Sequence, residues 1–64
     1  MKMEHNAREK IISAAYQILA EKGYDAATTK GIAQQAGVAQ GLINYYFPSK
    51  DDLFLAVLEA ESTQ

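Results

Sequence analysis

The stretch that decides the fold reads AQQAGVAQGLINYYF and spans residues 33–47. Ala33 and Gly37 are separated by three residues, and Val38 follows directly. A small residue at 33 lets another helix cross closely, and glycine at 37 can adopt the positive φ that a tight turn requires. Val38 can then insert into the core where the chain enters the next helix. This pattern predicts two short helices joined by a tight turn.

Helical periodicity continues on the N-terminal side of this pair. Over residues 6–22, apolar side chains recur at the spacing of one helix face, and Gly23 can end that helix in the left-handed conformation. A second helix is predicted over about residues 29–35, with Thr28 or Thr29 as its capping residue. The N-terminal half therefore predicts one long helix followed by a short one.

The C-terminal side adds two more helices. The third is predicted over about residues 40–46, with Ile43 and Phe47 on its buried side, and Pro48 ends it. Ser49, with an aspartate three residues later, is the capping-box pattern that begins a fourth helix. The apolar face of this fourth helix is predicted to comprise Leu53, Phe54, Val57 and Leu58. Four helices with short joints predict an all-α bundle that contains a helix-turn-helix.

Composition excludes several classes of protein. The chain has 64 residues, of which 48% are hydrophobic, with no cysteine and one histidine. Disulfides are therefore excluded, a metal site is not expected, and little is available for acid–base or nucleophilic catalysis. No apolar run approaches the roughly 18 residues of a membrane span, and no secretory signal is recognisable. We therefore expect one cytoplasmic domain that is not an enzyme and needs no cofactor.

Charge is distributed unevenly along the chain. The formal net charge is −2, which by itself is unlike a nucleic-acid-binding protein. Residues 28–50 nevertheless contain Lys30 and Lys50 and no carboxylate, whereas residues 51–64 contain four carboxylates and no basic side chain. A basic middle segment favours contact with a polyanion, although a window of this length without acids also arises by chance. The overall acidity favours the alternative, a helical protein-interaction module.

The segment GYDAATTKGIAQQAGVAQGLINYYFPSKDDL, residues 23–53, resembles the DNA-binding domain of tetracycline-repressor (TetR)-type bacterial transcriptional regulators. The resemblance implies a three-helix homeodomain-like bundle with a helix-turn-helix, followed by the start of a fourth helix. It further implies a homodimeric repressor that leaves a palindromic operator when a small-molecule inducer binds a larger C-terminal domain. Residues 1–64 would then be the DNA-binding domain, with the C-terminal ligand-binding and dimerisation domain absent.

Base contacts are expected from the third helix, because the N-terminal residues of the second helix of a helix-turn-helix meet base edges. Gln40 and Asn44 can each pair with adenine, and Leu42 can contact a thymine methyl. Gly41 lacks a side chain where helix and DNA would approach closely, and Lys30 could reach a phosphate or a guanine edge. The alternative is that Leu42 is partly core and that the two amides are merely solvated.

Phosphate contacts are expected from four side chains around this helix. Thr29 begins the second helix, and the hydroxyls of Tyr45 and Tyr46 can donate to phosphate oxygens from the helix edge. Lys50 matches the family's phosphate-binding lysine and lies beside the N-terminus of the fourth helix. The alternatives are core packing for the two tyrosines and a solvated surface position for the lysine.

Other residues are expected to be structural or solvated. Arg8 and His5 could approach flanking phosphates, but solvated positions are favoured for both, and Tyr16 and Tyr24 are expected to be partly buried. The structural set of the helix-turn-helix is predicted to be Ala33, Gly37, Val38, Ile43 and Phe47.

Three positions depart from the family pattern. Gly31 replaces an acidic or polar residue, so the capping box of the second helix is lost. Ala39 replaces the serine or threonine that normally caps the third helix, at a cost of about 1 kcal/mol. Asn44 replaces a frequent tyrosine, which alters the expected contact at that position. We therefore hypothesise a marginally stable domain whose third helix becomes firmer on DNA.

Overall fold

Four helices make up the computed structural model, which describes the backbone of residues 3–62 and the side chains of residues 7–60. The helices are α1 (Met3–Lys22), α2 (Thr29–Ala36), α3 (Gln40–Tyr46) and α4 (Lys50–Ser62). The predicted all-α fold is confirmed, and the bounds of α3 agree with the prediction. The side chain of His5 lies outside the described range. None of the described helices is both long and apolar enough to cross a membrane.

The joint between α1 and α2 uses local hydrogen bonds at both helix ends. Gly23 has a φ of 88°, and its N–H donates to the Leu19 carbonyl over 2.9 Å. Thr28 is extended, and its hydroxyl oxygen accepts the N–H of Gly31 over 3.0 Å. Thr28 is therefore the N-cap of α2. The capping-box hydrogen bond from the N–H of residue 31 to the Thr28 side chain is present, whereas Gly31 has no side chain to bond back to the N–H of Thr28.

The turn between α2 and α3 closes on one carbonyl group. Gly37 has a φ of 75°, and its N–H donates to the Ala33 carbonyl over 2.9 Å. The N–H of Val38 donates to the same carbonyl over 3.0 Å. A left-handed glycine followed by this second hydrogen bond ends the helix abruptly and redirects the chain. The turn predicted from the Ala33, Gly37 and Val38 spacing is confirmed.

The ends of α3 are held differently. Ala39 occupies the N-cap position and makes no side-chain capping bond, whereas the N–H of Phe47 closes the C-terminal turn on the Ile43 carbonyl over 2.7 Å. After Pro48, the hydroxyl of Ser49 accepts the N–H of Asp52 over 3.2 Å and caps α4. The predicted boundary between α3 and α4 is thereby confirmed.

The core draws on all four helices. Its large, fully buried side chains are Ile11, Ile32, Ile43, Leu53 and Val57. Burying each such side chain contributes about 1.5–3 kcal/mol of transfer free energy. The other buried residues that complete the core are Ala14, Ala15, Ile18, Ala27, Ala33, Phe47, Phe54 and Ala56. Within this core α1 packs against both α2 and α4, so that α3 is anchored at one edge of the domain.

One predicted core position is wrong. Leu58 was expected on the apolar face of α4, but its side chain is 59% exposed. At 3.6 residues per turn it lies about 40° beyond Phe54, on the flank of the buried stripe. Ala56, on the other flank of the stripe, is buried instead. The inward face of α4 is therefore Leu53, Phe54, Ala56 and Val57.

Candidate nucleic-acid interface

The outward face of α3 presents short polar side chains. Gln40, Gly41 and Asn44 are exposed, while Ile43 on the opposite side is fully buried. Leu42 was expected to be exposed, but it is half-buried and packs against the core. Its position one residue before Ile43 places it on the flank of the buried stripe. Only part of the Leu42 side chain is therefore accessible to a molecule that contacts the outward face of α3.

Gly41 lies in open surroundings. A Cβ atom added at this glycine would meet no heavy atom within 4 Å outside its own helix. The fold itself therefore does not require a glycine at this position, although glycine inside a helix costs about 1 kcal/mol relative to alanine. A bare backbone on an exposed helix face permits unusually close approach by another molecule.

Two predicted contact residues are joined to each other across the helix-turn-helix. The amide nitrogen of Gln40 in α3 donates to the hydroxyl oxygen of Thr29 in α2 over 3.0 Å. This bond orients the glutamine amide, which has a second N–H and a carbonyl oxygen for further hydrogen bonds. Lys30, next to Thr29, is exposed on α2. The first turn of α2 and the first turn of α3 therefore form one continuous polar surface.

The three consecutive aromatic residues at the end of α3, Tyr45, Tyr46 and Phe47, are increasingly buried along the chain. Tyr45 is 78% exposed, so core packing is excluded for it. Tyr46 is half-buried against the core, and its ring lies edge-on to Tyr45 with centroids 5.2 Å apart. Phe47 is buried, and its ring centroid is 6.2 Å from that of Tyr46. Tyr46 thus combines a packing role with a position at the rim of the outward face.

Arg8 brings a positive charge from α1 to this end of α3. Its guanidinium carbon is 5.3 Å from the ring centroid of Phe47, within the range of a cation–π contact. The side chain is exposed, as expected, but its contact with Phe47 was not predicted. Only the packing of α1 beside the end of α3 reveals the contact, because the two residues are distant in the sequence.

Lys50 also has an aromatic neighbour. Its ammonium nitrogen lies 4.2 Å from the ring centroid of Tyr24, and the side chain is half-buried. The expected alternative, a freely solvated lysine, does not describe this arrangement. Tyr24 itself is 42% exposed and contacts Phe54 edge to face, with centroids 5.3 Å apart. It therefore packs on α4 while remaining partly exposed, and its contact with Lys50 was not predicted.

The hydroxyl of Tyr24 donates a hydrogen bond to the carboxylate of Asp51. This bond, together with desolvation and the negative charges of Asp51 and Asp25, raises the pKa of Tyr24 above its ordinary value. Asp51 neighbours Lys50 in the first turn of α4, where a carboxylate also interacts favourably with the helix dipole. The basic and acidic residues that begin α4 are thus both in contact with one tyrosine.

The part of the chain whose side chains are described contains no candidate metal site. No group of three or more His, Cys, Asp or Glu side chains there could hold a metal ion. The site residues are instead amides, hydroxyls, aromatic rings and cations. These groups suit recognition of a polar, anionic partner through hydrogen bonds and charge.

Comparison with known proteins gives a consistent result. The family model described as bacterial regulatory proteins, tetR family, matches residues 11–57. The fatty acid metabolism regulator protein of Bacillus subtilis (strain 168) is 38% identical over 64 residues, covering 100% of this chain and 33% of that protein. The HTH-type transcriptional regulator HbdR of Aromatoleum sp. (strain CIB) is 41% identical over 58 residues, covering 91% of this chain and 25% of HbdR.

A third relative has a similar extent. The HTH-type transcriptional repressor AcnR of Corynebacterium glutamicum is 32% identical over 59 residues, covering 92% of this chain and 31% of AcnR. The chain thus spans between a quarter and a third of the length of these relatives. No solved structure gives a significant match. The chain belongs to the tetR family of bacterial regulatory proteins, which are transcriptional regulators with a DNA-binding helix-turn-helix domain.

Proposed function

We propose that this chain is the operator-reading domain of a homodimeric repressor and that α3 enters the major groove of a palindromic site. The observation that carries the proposal is the exposed polar face of α3, with Gln40, Gly41 and Asn44 directed away from the buried Ile43. A short helix that is held to the core through Ile43 and exposes amide side chains can present them to base edges in the major groove.

Base reading is assigned to the first turns of α3 and α2. Gln40 and Asn44 pair with base edges, and Thr29 orients the Gln40 amide through the 3.0 Å hydrogen bond. Gly41 lets the helix backbone approach closely, and the rim of Leu42 contacts a thymine methyl. Lys30 reaches a guanine edge or a neighbouring phosphate.

Backbone positioning is assigned to residues around this face. Thr29, Tyr45, Tyr46 and Lys50 contact phosphate oxygens, which fixes the register of α3 without carrying sequence information. The exposure of Tyr45 and the rim position of Tyr46 support this assignment. The contact region has two lysines and no carboxylate over residues 28–50, so that local charge favours DNA despite the net charge of −2.

The remaining steps of regulation belong to a longer protein. In this proposal residues 1–64 form the DNA-binding domain, and a C-terminal domain provides dimerisation and an inducer site. The lengths of the relatives, three to four times the matched segment, support a longer natural chain. The printed name of AcnR, a transcriptional repressor, favours repression over activation. The regulator would act in the bacterial cytoplasm, on the nucleoid.

Selection of bound sequences from random DNA with the full-length dimer tests this function. We expect a palindromic consensus, and we expect Gln40→Ala to relax the preference at one base pair of each half-site, at a cost of about 1–3 kcal/mol. Asp52→Asn, on the exposed start of α4, is the matched control and should leave the consensus unchanged. Failure to enrich any sequence, together with salt-independent binding to another protein, would instead support a helical protein-interaction module.

A further inference from the structure

Tyr24 lies outside the helix-turn-helix but is in contact with a proposed DNA-contacting residue. The ammonium of Lys50 is 4.2 Å from the centroid of its ring. The ring is held by two further contacts, because it meets Phe54 edge to face at 5.3 Å and because its hydroxyl donates to the Asp51 carboxylate. Phe54 is itself buried in the core. Lys50 therefore lies on an aromatic surface that is tied to the body of the domain.

These contacts act on Lys50 in two ways. An ammonium over an aromatic face is attracted to it by about 0.5–1 kcal/mol at an exposed site, which restricts an otherwise mobile side chain. Asp51, the next residue along the chain, carries a carboxylate that competes with a phosphate for the same ammonium. The hydroxyl of Tyr24 occupies that carboxylate with a hydrogen bond. One tyrosine thus orders the lysine and engages its nearest competing anion.

We infer that Tyr24 is a positioning residue that holds the Lys50 ammonium ready for a DNA phosphate; this inference rests on the DNA-binding function proposed above. A lysine that is already ordered in the free protein loses less side-chain entropy on binding. The gain cannot exceed the strength of the ring contact that orders it. Removing the ring therefore weakens binding about twofold to fivefold.

A double-substitution cycle tests whether Tyr24 acts through Lys50. The proteins are the wild-type chain, Tyr24→Leu, Lys50→Ala and the double variant, and the probe is a short mixed-sequence DNA duplex at low salt. We expect Tyr24→Leu to weaken binding without changing the salt dependence, because the number of charges at the interface is unchanged. Lys50→Ala should make the negative slope of log affinity against log salt shallower by about 1. In the Lys50→Ala background, Tyr24→Leu should have no further effect.

Two control variants separate positioning from folding. Tyr24→Phe keeps the ring and its contact with Phe54 but releases the Asp51 carboxylate, so its affinity should lie between those of the wild type and Tyr24→Leu. Tyr16→Leu removes the other half-exposed tyrosine of the N-terminal half, which lies on α1 in a groove with Arg8, Ile12 and Val57. It should leave DNA affinity unchanged. A loss of affinity for Tyr24→Leu that is equal in both Lys50 backgrounds would show that Tyr24 acts by another route.

Nuclear magnetic resonance of the wild-type chain provides a readout that needs no substitution. The ring of Tyr24 should shift the side-chain methylene protons of Lys50 upfield in the free protein, and the shift should persist in the DNA complex. Absence of the shift in the free protein overturns the inference whether or not DNA binds. Loss of the shift on binding also overturns it, because Lys50 would then have to leave the ring to reach a phosphate. If the shift is present but no duplex binds, the proposed function fails while the contact between the two side chains stands.

Discussion

At the scale of single residues, Gly37 and Gly41 of the helix-turn-helix differ in whether the fold requires a glycine. Gly37 has a φ of 75°, a conformation that side chains of L-amino acids rarely adopt. Gly41 lies in a helix, and a Cβ there would meet nothing within 4 Å outside that helix. The fold therefore requires the first glycine but does not require the second.

This contrast gives a paired prediction. Gly41→Ala should raise the free energy of unfolding by up to about 1 kcal/mol, because alanine is the better helix former, and should weaken DNA binding because the new methyl faces the groove. Gly37→Ala should lower the free energy of unfolding by about 1–2 kcal/mol, since it forces a left-handed alanine. Chemical denaturation and duplex titration measure both effects. A Gly41→Ala variant that binds DNA as tightly as the wild type would remove the argument for close approach.

Tyr24 gives a prediction about pH. Its pKa is raised in the folded state, chiefly by the hydrogen bond to Asp51, so the folded chain holds the phenolic proton more tightly than the unfolded chain does. The resulting stabilisation is fully present below the unfolded pKa of about 10 and is lost as the pH rises through the folded value. The melting temperature of the wild type should therefore fall as the pH rises above about 10. Tyr24→Phe should lack this component, and identical pH profiles would contradict the hydrogen bond.

At the scale of secondary-structure elements, α3 is a short helix without a side-chain cap at its N-terminus. It runs from Gln40 to Tyr46, has one fully buried side chain in Ile43, and lacks a side-chain cap at Ala39. By contrast, α2 is capped by the Thr28 hydroxyl. The helix proposed to read DNA therefore lacks the side-chain cap that α2 and α4 have, and we expect local opening at its N-terminus.

Restoring the missing cap tests this point. Ala39→Ser should stabilise α3 by about 0.5–1 kcal/mol and slow exchange of its amide hydrogens. Thr28→Ala is the opposite control, since it removes an observed cap and should destabilise the domain by a similar amount. Amide exchange in α3 that is as slow as in α1 of the wild type would contradict a marginal third helix.

Features of the helices that depend on neighbouring residues in the sequence were predictable, whereas features that depend on packing between helices were not. The bounds of α3 and the turn before it were predictable because a left-handed glycine, a proline and the capping residue Ser49 act within a few residues of the chain. The exposure of Leu58 and the half-burial of Leu42 were not, because both lie on the flank of a buried stripe. Which flank is covered depends on neighbouring helices. The ring contacts of Arg8 and Lys50 join residues far apart in the sequence, so only the packed structure reveals them.

At the scale of the whole molecule, an acidic chain presents a basic reading surface. Residues 28–50 contain two lysines and no carboxylate, and residues 51–64 contain four carboxylates. Of these, Asp51 is held by Tyr24. Binding to DNA should consequently weaken with salt but with a shallow slope, since few phosphates are neutralised. As a single domain the chain should bind weakly, because a second half-site adds avidity only in a dimer.

Mapping of amide chemical shifts during titration with the selected duplex tests the central claim most directly. We predict that the largest changes fall on the N-terminal turns of α2 and α3, on Tyr45 and Tyr46, and on Lys50, and that they diminish as salt is added. The exposed side of α4 around Leu55 and Leu58 should change little. Changes concentrated on that side of α4, with α3 unaffected, would contradict the assignment of α3 as the helix that reads DNA.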